Sequence, residues 1–105
     1  MLYEFIGKQI QYHRKKKGFT QEQLSDIAEI SLSFLGHIER GTRKLSVDTL
    51  YKIANALNCS ADELMGTQYP KQYHDAAREL LIQFNALAEK LQIENADDPH
   101  LQSKS

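Results

Sequence analysis

The sequence contains one cysteine, two prolines and no tryptophan among its 105 residues. A single cysteine cannot form an internal disulfide, and Cys59 has no Cys/His spacing around it that is typical of a metal site. No run approaches the roughly 20 apolar residues needed to span a bilayer. The first 18 residues place apolar side chains before a basic cluster, the reverse of a secretory signal. We therefore expect a cytoplasmic protein with no metal and no membrane partner.

The sequence also lacks a recognisable catalytic set. Cys59 and the histidines His13, His37 and His74 have no spacing typical of a nucleophile with its base or of a metal site. A glycine-rich loop that would cradle a phosphate is absent as well. We therefore expect a protein that is not an enzyme, with no catalytic residue and no cofactor.

Length and charge distribution indicate a basic domain with an acidic extension. A chain of 105 residues has room for one compact domain and one further element. The net charge is −1, but residues 1–60 carry nine Lys or Arg against six Asp or Glu, and residues 61–105 carry four against eight. This asymmetry predicts a basic functional half followed by an acidic appendage.

Apolar residues recur at helical spacing through most of the chain, which predicts an all-α fold. The first helix is expected over residues 2–17 and ends at Gly18. Thr20 and Gln23 have the spacing of a capping box and open a second helix. Its predicted buried stripe consists of Leu24, Ile27 and Ala28.

A third helix is expected from Leu32 to Arg40, with Ser31 as its N-cap and Gly41 at its end. Two helices separated by so few residues must cross, which is the geometry of a helix-turn-helix motif. Ser46 opens a fourth helix and Ser60 a short fifth one, with Glu63 completing a capping box. Residues 1–66 are therefore predicted to form a five-helix domain that contains this helix-turn-helix motif.

A turn-like segment with Pro70 precedes an additional C-terminal helix, so residues 67–93 are predicted to be a linker and an amphipathic helix. Its apolar residues step by four and three alternately, as in a coiled-coil heptad. This pattern favours a homodimer, while Leu81 and Ala88 widen the stripe and leave docking on the chain's own domain open. Residues 94–105 are expected to be a polar tail. The predicted dimerisation residues are Tyr73, Ala77, Leu80, Phe84, Leu87 and Leu91.

Two ordered stretches carry a family resemblance: IGKQIQYHRKKKGFTQEQLS, and ISLSFLGHIERGTRKLSVDTLYKIANALNCSADEL. Together they resemble the Cro and phage-repressor (XRE-type) helix-turn-helix family across more than half of the chain. The resemblance implies a regulator of transcription, in most cases a repressor, that binds a double-stranded DNA operator. A helix fits the major groove in width, and in such motifs the third helix enters it.

The resemblance also implies which residues contact DNA. Leu32, Ser33, Phe34 and His37 match positions that face the bases, and Gln21 matches one that holds a phosphate. The alternatives are that Ser33 is the helix cap, that His37 is a solvated surface residue, and that the two apolar residues pack against a neighbouring element. The full predicted DNA-binding set is Gln21, Ser31, Leu32, Ser33, Phe34, His37, Arg40, Arg43 and Lys44.

Arg14 and Glu39 match a pair that forms a partly buried salt bridge in this family, so we interpret them as structural. Two positions depart from the family pattern. Glu29 stands where the tight turn often has glycine, which predicts a longer or differently shaped turn. Gly36 lies inside the third helix, where it lowers helix propensity but permits close approach to a backbone.

A second function remains open at this point. The acidic, apolar C-terminal helix is also compatible with an antitoxin-like or accessory module that holds an unknown protein partner. A tight complex with a co-encoded protein favours that alternative, and operator binding by the isolated chain favours a transcriptional regulator.

Overall fold

The computed structural model describes residues 2–65 and 71–96, with the side chains of Tyr73 and of residues 92–96 left aside. These residues form helices and contain no strand, which confirms the all-α prediction. The elements are α1 (Leu2–Lys16), α2 (Gln21–Ala28), α3 (Leu32–Arg40), α4 (Val47–Leu57), α5 (Ala61–Met65), a 3₁₀ turn (Lys71–Tyr73) and α6 (His74–Ala96). None of these helices is long and apolar enough to cross a membrane.

One hydrophobic core joins the helices. Its largest fully buried side chains come from α1 to α5, and burial of each stabilises the fold by about 1.5–3 kcal/mol. His13 on α1 donates from Nε2 to the carbonyl oxygen of Glu63 on α5 at 3.0 Å, so a polar contact also ties these two helices. The largest buried side chains are Ile6, Ile10, Leu24, Leu35, Ile38, Leu50, Ile53, Leu57 and Leu64.

Helices α1 and α3 approach each other closely, and glycine makes this possible. A Cβ atom placed on Gly7 would lie 2.7 Å from the carbonyl oxygen of Glu39 and closer still to that of Ile38. A Cβ on Gly41 would lie 2.6 Å from Cγ of Glu4. Real Cβ atoms do not come this close to other heavy atoms, so both positions require glycine. The sequence analysis did not identify Gly7.

Most predicted helix ends are confirmed. The Thr20 hydroxyl accepts from the amide of Gln23 at 3.0 Å, and the Gln23 side chain accepts from the amide of Thr20 at 2.9 Å, which completes the capping box. Only half of the second box forms, because the Glu63 carboxylate accepts from the Ser60 hydroxyl at 3.4 Å rather than from its amide. Pro70 lies outside the described residues.

The expectation of a longer or differently shaped turn at Glu29 is wrong. Glu29 adopts the left-handed conformation (φ 59°) that glycine usually supplies, and α2 ends at Ala28 while Ser31 already caps α3. The amide of Ile30 donates to the carbonyl oxygen of Ser25 at 3.0 Å, which closes the turn. Backbone hydrogen bonding and the packing of α2 against α3 thus hold a non-glycine residue in a conformation that it seldom adopts.

Ile27 is 51% exposed, so its predicted place in the buried stripe of α2 is wrong. The side chains of α2 that are buried belong to Leu24, Ser25 and Ala28, and the Ser25 hydroxyl donates to the carbonyl oxygen of Glu22 at 2.8 Å. A small polar residue fills the inner position because its hydroxyl is satisfied within its own helix. Ile27 instead borders a shallow depression beside α4.

Helix α6 packs on α4 and α5 of its own chain. Ala77, Leu80 and Phe84 are buried there, and the Phe84 ring lies 5.5 Å from the ring of Tyr51, centroid to centroid. We predicted that these three residues lie at a homodimer interface. The structure instead buries them in the core of the same chain. Leu87 and Leu91 continue the same face half-buried, and the Tyr73 side chain lies outside the described part.

The end of α6 also differs from the prediction. The helix runs to Ala96, which is three residues into the segment expected to be a polar tail. Residues 97–105, the remainder of that segment, lie outside the described residues, as does the predicted domain boundary at residue 66.

Candidate nucleic-acid interface

Helix α3 presents one face to the core and one to solvent. Leu35 and Ile38 point inward as predicted, and Gly36 and Glu39 are buried with them. Leu32 is 48% exposed and Ser33 is exposed, while Phe34 and His37 are half-buried. Of the four side chains that the family resemblance assigns to DNA, two are therefore accessible to solvent and two are accessible in part.

Ser31 and Ser33 have different positions relative to the helix end. The Ser31 hydroxyl accepts from the amide of Phe34 at 3.0 Å, and its backbone is extended, as an N-cap requires. The alternative that Ser33 caps the helix is therefore wrong. Ser33 is left with an exposed hydroxyl on the first turn of α3.

Phe34 connects α3 to the loop that follows it. The guanidinium of Arg43 lies 5.5 Å from the centroid of the Phe34 ring, which is cation–π distance. Phe34 also packs against the edge of the core. One ring thus contacts the core and holds a cation beside the outer face of α3.

The loop after α3 supplies positive charge next to this face. Arg43 and Lys44 are exposed, whereas Leu45 is buried and fixes the loop to the core. Arg40 is exposed on the last turn of α3. A Cβ on Gly36 would lie 3.2 Å from Nη1 of Arg40, so the absence of a side chain at Gly36 gives that guanidinium room to fold back along the helix.

A buried ion pair fixes α3 to α1, as the family resemblance implied. Arg14 donates from Nε to Oε2 of Glu39 at 2.7 Å and from Nη2 to Oε1 at 3.0 Å. Its Nη1 donates to the carbonyl oxygen of Phe19 at 2.9 Å. This bidentate geometry satisfies both charges inside the protein, so the pair has a structural role.

Gln21 is part of the same network. Its Nε2 donates to Oε1 of Glu39 at 3.0 Å, so the first residue of α2 is held against the middle of α3. The side-chain nitrogen that the family resemblance assigns to a phosphate is thus already engaged within the protein. A phosphate contact from Gln21 stays a prediction.

Thr42 contacts the outer face of α3 and was missed in the sequence. Its Oγ1 lies 2.9 Å from Nδ1 of His37, and Arg40 approaches the same ring nitrogen at 3.5 Å. The signal that pointed to it is Gly41, because a glycine cap returns the chain toward the preceding turn. Accordingly, the amide of Thr42 donates to the carbonyl oxygen of His37 at 3.0 Å.

Cys59 is a free cysteine and is half-buried. Burial raises the pKa of the Cys59 thiol, and the nearby Glu63 carboxylate raises it further, against the opposing effect of Lys17. The thiol is therefore a poor nucleophile. In the part of the chain that the structure describes, no group of His, Cys, Asp or Glu side chains is arranged to hold a metal ion.

A short turn joining α2 to a capped, outward-facing α3 defines a DNA-binding transcriptional regulator of the helix-turn-helix class. The chain belongs to the helix-turn-helix family HTH_3, whose model matches residues 10–64. This confirms the family expected from the sequence, which is one of transcription regulators and not of enzymes.

Three proteins that resemble the chain show where it lies within this family. It is 48% identical over 61 residues to the HTH-type transcriptional regulator YazB of Bacillus subtilis (strain 168), covering 58% of this chain and 88% of that protein. The restriction-modification controller protein C.AhdI from Aeromonas hydrophila is a structural neighbour with a TM-score of 0.58 and 32% identity, covering 59% of this chain and 94% of that one.

The third relative, the clp gene regulator ClgR from Corynebacterium glutamicum, has a TM-score of 0.59 and 26% identity. The match covers 94% of this chain and 96% of that one, so the structural similarity includes α6. Two further curated relatives are longer, and the chain spans 54% and 48% of their length.

Proposed function

We propose that this protein is a sequence-specific operator-binding repressor that acts in the cytoplasm as a homodimer, with α3 of each copy in a major groove. The observation that carries the proposal is the outer face of α3, where Leu32 and Ser33 are exposed and His37 is half-buried. The cations of Arg40, Arg43 and Lys44 border that face and supply contacts to phosphates.

The twofold arrangement draws its support from α6. Its first half is used for internal packing, and the apolar face continues through Leu87 and Leu91, which are half-buried. These two side chains gain burial if a second copy covers them. We therefore place the dimer contact at the C-terminal half of α6 and not along the whole predicted row.

The same packing weakens the alternative of a protein-binding module. That alternative rested on the apolar stripe of α6, and Ala77, Leu80 and Phe84 of this stripe contact the chain's own domain. The outer face of α3 is accessible to a partner, and its cationic border fits DNA.

Replacing Ser33 and His37 together with alanine tests the proposed function. We expect affinity for a duplex selected by the wild-type protein to fall at least tenfold, because each base contact contributes about 1–3 kcal/mol. Thermal stability is expected to stay the same, since neither side chain is part of the buried core. Titration by fluorescence anisotropy and a thermal unfolding curve give the two readouts.

The matched control is Lys52→Ala with Asn55→Ala, two exposed positions on α4. This control should retain wild-type affinity for the selected duplex. If the Ser33/His37 variant binds as tightly as the control does, α3 is not the reading helix and the proposal is wrong.

A further inference from the structure

A cation–π contact joins the first turn of α3 to the loop after this helix. The guanidinium carbon of Arg43 lies 5.5 Å from the centroid of the Phe34 ring. A cation is attracted to the face of an aromatic ring when it lies within about 6 Å of the centroid. Phe34 is half-buried and Arg43 is exposed, so the ring is the more restrained member of the pair.

The surroundings restrain both partners of this contact. The Phe34 ring packs against the edge of the core. In the loop, the amide of Thr42 donates to the carbonyl oxygen of His37 at 3.0 Å, and the side chain of Leu45 is buried. The backbone of Arg43 is thus anchored on both sides. The freedom that remains is that of its long side chain, and the Phe34 ring restricts it.

The contact leaves the hydrogen-bond donors of Arg43 available. A guanidinium has five N–H donors, and a cation–π contact uses its charge and not a particular N–H group. Among the described residues, Arg43 has no hydrogen-bond or salt-bridge partner. Arg14, by contrast, directs Nε, Nη1 and Nη2 at acceptors inside the protein. The donors of Arg43 can therefore reach an external anion while the ring holds the charge.

We propose that Phe34 is a positioning residue for Arg43, whose guanidinium it holds where this group donates to a phosphate of the DNA backbone. This inference rests on the proposed function, because it needs α3 against duplex DNA. Ordering a long side chain on binding costs conformational entropy, and a side chain held beforehand in the free protein loses less. Phe34 thus raises affinity through Arg43 and not by reading a base. Since a phosphate contact carries no sequence information, the effect is the same on every duplex.

A double-mutant cycle on the full-length protein tests this role. Fluorescence anisotropy gives the affinity of the wild type, Phe34→Leu, Arg43→Ala and the double variant for a duplex selected by the wild type and for an unrelated duplex of equal length. We expect Phe34→Leu to weaken binding about two- to fivefold on both duplexes. In the Arg43→Ala background the same change should alter affinity by less than about twofold, because the cation that the ring held is gone.

Two further variants distinguish positioning from a general effect on the fold. Phe34→Tyr keeps the aromatic ring and should retain wild-type affinity. Lys44 is the matched cation, since it is exposed in the same loop and, among the described residues, lies over no ring. Phe34→Leu should therefore weaken Lys44→Ala as much as it weakens the wild type. Thermal unfolding curves establish that each variant is folded at the temperature of the titrations.

The outcomes separate the two claims. If the wild type selects no duplex from a randomised pool, the proposed function fails and this inference fails with it. If it selects one but the losses from Phe34→Leu and Arg43→Ala multiply as independent effects, Phe34 does not act through Arg43. A loss in Phe34→Leu that is confined to the selected duplex contradicts the inference as well. In both cases the proposed function stands.

Discussion

At the scale of single residues, helix α3 is held by contacts made far from its exposed face. Glu39 accepts from both Arg14 and Gln21, so α1 and α2 are each tied to the inner side of α3. Removing either ionic partner leaves an uncompensated buried charge, at a cost on the order of 3–5 kcal/mol. Loss of DNA binding in such a variant reports instability of the fold and not a lost DNA contact.

The close contact of Gly7 with α3 predicts the effect of a substitution on stability. Gly7→Ala should destabilise the protein by about 1–3 kcal/mol, because the new methyl group meets the backbone oxygens of Ile38 and Glu39, which cannot move aside easily. This steric effect outweighs the gain of up to about 1 kcal/mol in helix propensity. The midpoint of thermal unfolding measures it.

Gly36→Ala is the matched control, since Gly36 is also a glycine inside a helix. Its added Cβ meets only the flexible guanidinium of Arg40, at 3.2 Å. That variant should unfold at or slightly above the wild-type temperature. A Gly7→Ala protein as stable as Gly36→Ala would show that α1 and α3 do not approach as closely as described.

At the scale of elements, the helices were predictable where a local signal defined their ends. Thr20 with Gln23, Ser31 and Gly41 are caps whose side chains or conformations act within a few residues of the chain, and the structure confirms each of them. Leu35 and Ile38 follow helical spacing and are buried. The bounds of α3 were therefore predicted from local sequence alone.

Tertiary packing determines which apolar faces are buried, and the sequence alone did not predict this. Ile27 has helical spacing but lies outside the contact of α2 with its neighbours, and Ser25 takes the buried place. Periodicity showed that α6 has an apolar face but not which surface covers it. Thr42 contacts His37 across the helix cap, and Gly7 lies against α3 from another helix. The spacing of residues along the chain does not predict contacts of this kind.

The packing of α6 on its own chain predicts the effect of a substitution at Phe84. Phe84→Ala should lower the free energy of unfolding by about 3–5 kcal/mol, because the ring is only 6% exposed and packs on Tyr51 within the same chain. Urea unfolding, followed by circular dichroism at several protein concentrations, measures the change. The decrease in the midpoint relative to the wild type should be the same at each protein concentration.

Ile82→Ala is the control on the same helix, since that side chain is 56% exposed and its removal should leave the midpoint nearly unchanged. If the effect of Phe84→Ala on the urea midpoint instead changes with protein concentration, the ring lies between two copies. The internal packing of α6 would then be wrong.

At the scale of the whole molecule, charge and architecture agree. The excess of Lys and Arg in residues 1–60 includes the cations beside α3, whereas the acidic excess lies in residues 61–105, which include α6. The net charge of −1 thus conceals a basic half that favours binding to a polyanion. The described fold places helix α6 on α4 and α5, and α3 keeps its outer face uncovered.

The central claim is that two copies of α3 enter successive major grooves of one operator, and methylation footprinting tests it most directly. Dimethyl sulfate modifies guanine N7 in the major groove and adenine N3 in the minor groove, so one experiment reports both. With a duplex selected by the wild-type protein, we expect protection of guanine N7 in two patches related by inverted sequence and separated by about 34 Å along the helix axis. Protection confined to adenine N3, or a single unrepeated patch at saturating protein, would contradict the account.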